Sequence, residues 1–364
     1  MVRKVAISGY YGFQNIGDEA VLYSMLQALN TQGGVEALVF SNNPEFTEKQ
    51  YAVESLNRWK LASIGKGLMK SDMLLSGGGS LLQDVTGPRS LIYYLGVALL
   101  AKLLGKKVVF YAQGIGPVTT PGGKFLVKWI ANKVDLITVR DEGSKKLLQQ
   151  LGVRRPAIKV TADAVLAIDK DKVAREAAAK LLEDLGVSLD GPPIIGISLR
   201  DWKNAANYKK AVAKTCDRLI EKGYRVMFIP FHFPGDIAPG RDTIRMMEHG
   251  EEAILFKQQT NVEEMLGLLA HLHMIIGMRL HSLIMAAVMG VPIIGLSYDP
   301  KVDSFMKLAG QPLAGRAETI DSEQLWHVVQ EALEHREEDL PEYLRIIQEL
   351  REKALETARL ALEV

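Results

Sequence analysis

Basic side chains that could bind an anion follow short apolar segments in the second half of the chain. They are Arg200, His232, Arg279, His281 and Lys301. An arginine binds a carboxylate or phosphate through two parallel hydrogen bonds, and a histidine exchanges a proton near neutral pH. Three cations and two histidines at one site therefore predict a small, doubly charged anion as the ligand.

The segment at residues 277–282 gives the clearest local pattern for such a site. It follows an apolar run at residues 273–276, which predicts a buried strand, and it opens a helix with an apolar face that ends at Gly290. Arg279 and His281 then lie at the amino end of this helix, where unpaired N–H groups and the helix dipole favour an anion. The same positions also suit a solvated first-turn arginine and a structural histidine.

A glycine-rich loop at residues 9–19 follows the first predicted strand. It has neither the G-x-G-x-x-G spacing of a dinucleotide site nor the Lys-Ser/Thr pair of a P-loop. Asp18 stands where a helix cap is expected, so capping alone would explain an acid there. Asn15 is less typical of a cap in this loop. Together the acid and the amide could hold sugar hydroxyls.

Further glycine turns follow strand patterns at residues 77–79 and 114–116. Glycine allows a ligand or another backbone to approach closely, and it also serves a tight turn. Arg140 follows a later strand, where it could line the same sheet edge or pair with Asp141 or Glu142.

Strand and helix patterns alternate through both halves of the chain, which predicts parallel sheets with helices on both faces. We expect an α/β protein with two Rossmann-like domains, at residues 1–170 and 190–320. Helices at residues 321–364 should pack back on the core. Because ligands bind at the carboxyl ends of parallel strands, we expect the site in a cleft between the two domains.

Composition limits the function classes. The 364 residues are 48% hydrophobic and 24% charged with a net charge of +1, which is typical of a soluble globular protein and gives no global basic field for nucleic acid. Cys216 is the single cysteine, so an intramolecular disulfide and a cysteine-built zinc site are excluded. We expect no metal, because no metal-ligand spacing is evident. We expect a cytoplasmic location, because no secretory signal or membrane span is evident. The apolar run at residues 91–100 could touch a membrane surface.

Motifs along most of the chain also occur in one order that resembles a known family. They are residues 12–19 (GFQNIGDE), 76–82 (SGGGSLL), 113–117 (QGIGP), 139–142 (VRDE), 162–163 (AD), 198–201 (SLRD) and 277–282 (GMRLHS). This combination resembles the polysaccharide pyruvyl transferase family, and within it the CsaB-type cell-wall enzymes.

The resemblance implies a fold like that of the GT-B glycosyltransferases and an enzyme that uses phosphoenolpyruvate as donor, without a cofactor. For CsaB-type enzymes it implies a 4,6-linked pyruvate ketal on N-acetylmannosamine. The acceptor would be a lipid-linked amino-sugar disaccharide, a precursor of the secondary cell-wall polymer that anchors S-layer proteins. The enzyme would then act at the inner face of the plasma membrane, with possible peripheral contact.

The family's Arg-Leu-His motif matches Arg279-Leu280-His281. The resemblance implies that the arginine holds the donor and the histidine acts in the chemistry. Arg200 and, more weakly, Lys301 match further donor-binding residues. We expect His281 to protonate the donor's methylene carbon and Asp18 to act as the base, with His232, Leu280 and Asn15 among the binding residues.

Two other readings remain open from the sequence. A GT-B glycosyltransferase or a UDP-sugar 2-epimerase would use a nucleotide sugar, and shared architecture does not decide the chemistry. A non-catalytic module that recognises a cell-wall precursor would bind the acceptor without turnover and would be indifferent to His281→Ala.

Overall fold

The computed structural model describes residues 2–85, 87–173, 175–203 and 206–364. The chain divides into two compact units, Met1–Ile168 together with Leu350–Val364, and Asp169–Glu349. Each unit contains one parallel β-sheet with helices packed against it. The prediction of an α/β protein with two Rossmann-like domains is confirmed.

The sheet of the first unit is parallel at every pairing shown among the described residues. Its strands are β1 (Arg3–Ser8), β2 (Val35–Ser41), β3 (Glu54–Asn57), β4 (Met73–Ser76), β5 (Gly79–Leu82), β6 (Lys107–Ile115), β7 (Leu136–Val139) and β8 (Ala157–Val160). Their order is β3-β2-β1-β4-β6-β7-β8, with β5 paired to β6. The glycines at residues 77–79 therefore form more than a turn, because Gly79 begins a second short strand.

Helices cover both faces of this sheet. They are α1 (Ile16–Gln32), α2 (Pro44–Tyr51), α3 (Leu61–Lys70), α4 (Pro88–Leu103), α5 (Pro121–Ala131) and α6 (Glu142–Gln150). Right-handed crossovers place α1 and α2 on one face and α3 to α6 on the other, because the two groups lead towards opposite edges of the sheet. Accordingly, α4 packs against both α3 and α5.

The last residues of the chain belong to the first unit. The hydroxyl of Thr357 donates to that of Thr161 at 2.8 Å, and Arg3 donates to the carbonyl of Leu362. A short 3-10 helix, Ala164–Ala167, packs against α1.

The second unit has a six-stranded parallel sheet. Its strands are β9 (Ile194–Ser198), β10 (Arg225–Phe228), β11 (Ile254–Leu255), β12 (Leu272–Gly277), β13 (Ile293–Ser297) and β14 (Leu313–Arg316), in the order β11-β10-β9-β12-β13-β14. Strands β9 and β13 are buried at every residue, as continuous apolar runs predict for parallel strands covered on both faces.

The helices of the second unit follow its strands in turn. They are α7 (Arg175–Asp184), α8 (Asn207–Glu221), α9 (Ile237–Ile244), α10 (Val262–Leu269), α11 (Leu280–Val288), α12 (Pro300–Leu308), α13 (Ser322–Glu334) and α14 (Arg336–Leu362), the last of which continues into the first unit; a 3-10 helix, Lys170–Lys172, precedes α7. Among the described residues, no helix combines the length and apolarity that crossing a membrane requires.

Candidate active site

The carboxyl edge of the second unit's sheet carries the predicted anion-binding residues. Arg200 follows β9, His232 follows β10, Arg279 and His281 follow β12, and Lys301 follows β13. The register aligns Gly277 at the end of β12 with Ser198 on β9 and Gly295 on β13. The expectation that these residues follow strands of one parallel sheet is confirmed.

Arg279 is held by a buried carboxylate that sequence reasoning missed. Its Nε donates to Asp236 Oδ2 at 2.9 Å, and its Nη2 donates to Asp236 Oδ1. The same carboxylate accepts the backbone N–H of His232 at 2.8 Å and that of Phe231 at 3.2 Å. The side chain of Asp236 is 3% exposed and that of Arg279 is 21% exposed. Asp236 therefore fixes both the guanidinium and the loop after β10.

The start of α11 positions the predicted Arg-Leu-His motif. Arg279 is the N-cap residue, and His281 lies half-buried in the first turn. A Cβ on Gly277 would lie 2.7 Å from Ser282 Oγ and 2.8 Å from Leu283, so this glycine allows the helix to approach the strand end. Leu280, predicted among the binding residues, has its side chain in the core at 5% exposure.

Arg200 contacts Tyr298, which links the loops after β9 and β13. Arg200 Nη1 donates to the Tyr298 hydroxyl at 2.8 Å, and the hydroxyl of Tyr208 donates to the Arg200 carbonyl at 2.7 Å. Lys301 Nζ lies 5.8 Å from the centre of the Tyr298 ring and 3.4 Å from Asp299 Oδ2. Arg200 and Lys301 therefore both lie close to one aromatic residue.

Buried polar atoms at this edge have no protein partner among the described residues. They include Ser198 Oγ, Ser297 Oγ and Arg200 Nε. Buried polar groups are normally hydrogen-bonded, so these atoms are candidates for contact with a bound molecule or an ordered water. Within the described part of the chain, no three His, Cys, Asp or Glu residues are placed to hold a metal ion.

In the first unit, Asn15 has a structural role that the sequence reasoning assigned to its neighbour. Asn15 is the N-cap of α1, and its side chain accepts the Gly17 N–H at 3.2 Å. The view that Asn15 is the less cap-like residue is therefore wrong, because the helix begins at Ile16 and Asp18 already lies in its first turn. Asn15 still lies at the carboxyl edge of the sheet.

The two acids of this loop have different environments. Glu19 accepts the Gly12 N–H at 2.8 Å and the Tyr51 hydroxyl at 2.9 Å, and its burial raises its pKa. Glu19 therefore holds the glycine-rich loop in place. Asp18 is half-buried, and a Cβ on Gly79 would lie 3.4 Å from its Oδ1. The motifs at residues 12–19 and 76–82 thus meet at Asp18.

Arg140 joins four of the sequence motifs. Its Nη1 donates to Asp163 Oδ2 at 3.0 Å, and both side chains are at least nine-tenths buried. Its Nη2 donates to Ser80 Oγ at 3.2 Å, and its Cζ would lie 2.5 Å from a Cβ on Gly114. Asp141 is a more distant partner at 3.7 Å. Arg140 therefore serves the architecture of the loops at this sheet edge.

An aromatic cluster around Arg58 was missed by sequence reasoning. The guanidinium carbon of Arg58 lies 4.4 to 5.9 Å from the ring centres of Tyr10, Phe13, Trp59, Tyr93 and Tyr94. Arg58 is 3% exposed, and its Nη2 donates to the Tyr94 hydroxyl at 3.2 Å. Its Nη1 donates to the Gly9 carbonyl at 2.5 Å. Residues 58–60 (RWK) directly after β3 were the only available signal.

The cluster offers an exposed aromatic surface beside polar groups. Trp59 is 61% exposed, and Tyr10 stacks on Phe13 with ring centres 4.0 Å apart. Burial raises the pKa of Tyr94 to about 12, although the charge of Arg58 acts in the opposite direction. The hydroxyl therefore stays protonated and can donate a hydrogen bond at neutral pH.

Comparison with protein families gives a match over most of the chain. The model of the polysaccharide pyruvyl transferase family matches residues 15–300. A curated relative, the amylovoran biosynthesis protein AmsJ of Erwinia amylovora, is 24% identical over 268 residues, which are 67% of this chain and 61% of the relative. The chain therefore spans about three fifths of the length of that relative.

Solved structures share the fold at low sequence identity. The UDP-GlcNAc 2-epimerase of Neisseria meningitidis, bound to UDP-GlcNAc, is 14% identical with a TM-score of 0.61, covering 99% of this chain and 98% of that one. Anabaena HepE, in complex with UDP-glucose, is 11% identical with a TM-score of 0.65 over 99% and 98%. A glycosyltransferase of Rickettsia africae is 13% identical with a TM-score of 0.65 over 99% and 97%. The expected GT-B-like fold is confirmed.

Proposed function

The chain belongs to the polysaccharide pyruvyl transferase family, and from this membership we propose that it transfers the pyruvyl group of phosphoenolpyruvate to a sugar during polysaccharide biosynthesis. The observation that carries the proposal is the Arg279-Leu280-His281 turn, in which Asp236 orients Arg279 at the amino end of α11. A second, finer proposal follows the CsaB-type resemblance of the motifs. The product is a 4,6-ketal of N-acetylmannosamine on a lipid-linked disaccharide precursor, made at the inner face of the plasma membrane for S-layer anchoring.

The donor is a small anion with a carboxylate and a phosphate group, and the second unit supplies cationic and hydrogen-bonding side chains that suit both groups. Arg279 uses two of its five N–H donors to bind Asp236. The guanidinium is therefore held in one orientation, and its other N–H donors can bind an anion. Arg200 and Lys301 add positive charge beside Tyr298. The hydroxyls of Ser198 and Ser297, and the His232 side chain, offer further hydrogen bonds. Because these side chains are already in position before the donor binds, they need little rearrangement to stabilise the negative charge that develops on the departing phosphate.

The reaction consists of one addition and one substitution at the central carbon of the donor. His281 donates a proton to the methylene carbon, which becomes a methyl group and leaves the central carbon electrophilic. One sugar hydroxyl attacks that carbon, the bond to phosphate breaks, and a second hydroxyl closes the ketal ring. Of the two hydroxyl protons, Asp18 accepts one, which balances the proton that His281 gave, and phosphate carries the other.

The acceptor is assigned to the first unit. Asp18 and Asn15 lie at its carboxyl sheet edge with a carboxylate and an amide that suit sugar hydroxyls. The exposed ring of Trp59 and the stacked pair of Tyr10 and Phe13 provide flat apolar surfaces beside them. A sugar presents both hydroxyls and apolar C–H faces, so a mixed surface of this kind fits it.

The first test is thermal stability with phosphoenolpyruvate and, separately, with UDP-sugars. A ligand that binds only the folded state adds about 2.7 kcal/mol at a hundred times its dissociation constant. We expect phosphoenolpyruvate to raise the melting temperature of the parent protein and not of Arg279→Ala. A shift with a UDP-sugar alone would overturn the proposal and support a nucleotide-sugar enzyme.

Turnover is tested by phosphate release with phosphoenolpyruvate and an N-acetylmannosamine-terminated disaccharide acceptor. His281→Ala should retain the donor-induced melting shift and lose phosphate release by at least a hundredfold, the typical contribution of a general acid. Lys210→Ala, an exposed change on α8, is the matched control and should behave as the parent. Acceptor binding without any phosphate release in the parent would instead indicate a non-catalytic binding module.

A further inference from the structure

The outward surfaces of α3, α4 and α5 carry large apolar side chains. Each helix exposes two of them, with between 45% and 80% of the side chain accessible: Leu61 and Met69 on α3, Ile92 and Leu103 on α4, and Phe125 and Trp129 on α5. Scattered exposed apolar residues are normal, but grouped ones mark an interaction surface.

These side chains share one face of the first unit. Right-handed crossovers put the three helices on the same side of the sheet, and α4 packs against both of its neighbours. Helix α4 is apolar on both sides: Leu91, Leu95 and Ala98 are buried, while Ile92 and Leu103 point outward. A helix that is apolar all round is typical of an apolar environment on both sides.

The charged residues within these three helices all have one sign. The sequences of the three helices contain no Asp or Glu, although the whole chain has a net charge of only +1. Their basic residues are Lys66, Lys70, Arg89, Lys102, Lys124 and Lys128. Lys70 pairs with Glu54 and Lys102 with Asp135, both outside the helices. Lys133, just after α5, lies 5.3 Å from the Trp129 ring.

We propose that the outer face of α3, α4 and α5 docks the protein onto the surface of an anionic phospholipid bilayer. Exposed Phe, Trp and Leu side chains between lysines are the composition of helices that lie in the membrane interface, with the apolar groups about 5–10 Å deep and the lysines at the lipid head groups. The absence of acids from these helices removes the repulsion that an anionic surface would otherwise exert.

The docking face continues to the aromatic cluster around Arg58. Trp59 directly precedes α3, and its ring lies 6.4 Å from Phe13 and 6.0 Å from Tyr93 on α4. Tryptophan is enriched at membrane–water interfaces. In the one step that rests on the proposed function, this continuity would bring the sugar of a lipid-linked acceptor to the sheet edge that holds Asp18.

The test is co-sedimentation with large unilamellar vesicles, in neutral phosphatidylcholine and in phosphatidylcholine with 30% phosphatidylglycerol (about one anionic lipid in three). We expect the parent protein to bind the anionic vesicles and to release in high salt, where charges are screened. Lys124→Gln with Lys128→Gln should weaken binding about fivefold for each lysine. Phe125→Ser with Trp129→Ser should reduce binding at least tenfold.

Matched controls lie on exposed surfaces of the second unit. Lys210→Gln with Lys214→Gln has the same four-residue spacing on α8, and Met246→Ser with Leu308→Ser removes apolar groups of similar exposure. These controls should bind as the parent does. All variants change exposed side chains, so melting temperatures should agree within a few degrees.

The outcomes separate this proposal from the catalytic one. Vesicle binding requires no donor, and Phe125→Ser with Trp129→Ser should keep full turnover on a water-soluble acceptor. Failure of the parent to bind anionic vesicles, or equal binding by the parent and both α5 variants, would overturn the docking proposal. A concentration-dependent dimer that the Phe125/Trp129 variant abolishes, without vesicle binding, would assign the face to a second copy of the chain instead.

Discussion

Replacing Asp236 by Asn tests whether a buried carboxylate organises the donor site. Asp236 accepts two hydrogen bonds from Arg279 and two from the backbone after β10. Removing one partner of a buried ion pair costs about 3–5 kcal/mol, because a charge is left without compensation. Arg279 retains 21% exposure, and an amide oxygen can still accept an N–H. We therefore expect a loss of about 3 kcal/mol in the free energy of unfolding.

The assay is urea and thermal unfolding of the parent and the variant. For a unit of 150–250 residues, each kcal/mol shifts the melting temperature by roughly 2–4 °C, so the expected decrease is roughly 6–12 °C. Asp299→Asn is the control at the same sheet edge, after β13. Its partner Lys301 lies 3.4 Å away and both side chains are about 30% exposed, and Asn also caps α12. This control should lose less than about 1 kcal/mol.

A double-mutant cycle completes the test. In an Arg279→Ala background, Asp236→Asn should lower the free energy of unfolding by less than it does in the parent. The reason is that the guanidinium charge that Asp236 compensates is no longer present. Equal destabilisation by Asp236→Asn and Asp299→Asn, or additive effects in the cycle, would refute the view that this pair holds the site together.

Three further predictions concern the first unit. Gly114→Ala would place a Cβ 2.5 Å from Arg140 Cζ and displace a buried, ion-paired guanidinium. We therefore expect urea unfolding to show a loss of about 3 kcal/mol or more in the free energy of unfolding. Gly122→Ala is the control: a Cβ there would meet nothing within 4 Å, so its stability should be unchanged or higher. Asn15→Ser should preserve the helix cap and the free energy of unfolding to within about 0.5 kcal/mol, while Asn15→Ala should lose about 1 kcal/mol. If the amide binds the acceptor, phosphate-release assays will show reduced turnover in both variants. Unchanged turnover in both would remove Asn15 from the site. Burial alone would raise the pKa of Asp84, but hydrogen bonds from two threonines lower it to about 2, below the unfolded value of about 3.9. Asp84 therefore contributes to the free energy of unfolding above about pH 4, and this contribution is lost as the pH falls towards 2. The difference in unfolding free energy between the parent and Asp84→Asn should shrink over that range. A constant difference would contradict this prediction.

The local sequence predicted the alternation of strands and helices and the edge of the sheet that carries the site. Apolar runs predicted strands such as β4, β6, β9 and β12, because a parallel strand buried on both faces must be apolar throughout. It gave no prediction for β2, β3, β5 or β14. The position of Arg279 and His281 at a helix start follows from the same pattern, since the apolar stripe of α11 begins at Leu280. The ordered motifs predicted the family.

Tertiary structure decided which partners surround these residues. Asp236 lies 43 positions before Arg279, and Asp163 lies 23 positions after Arg140, so neither pairing has a local signal. Residues 58–60 gave a local signal for Arg58, but not for its ring neighbours, which come from the loop after β1, the residue next to Arg58 and helix α4. Sequence by itself determined where polar groups must emerge from the sheets. Only packing, which brings distant segments within hydrogen-bond distance, determined which of those groups are oriented, neutralised or exposed.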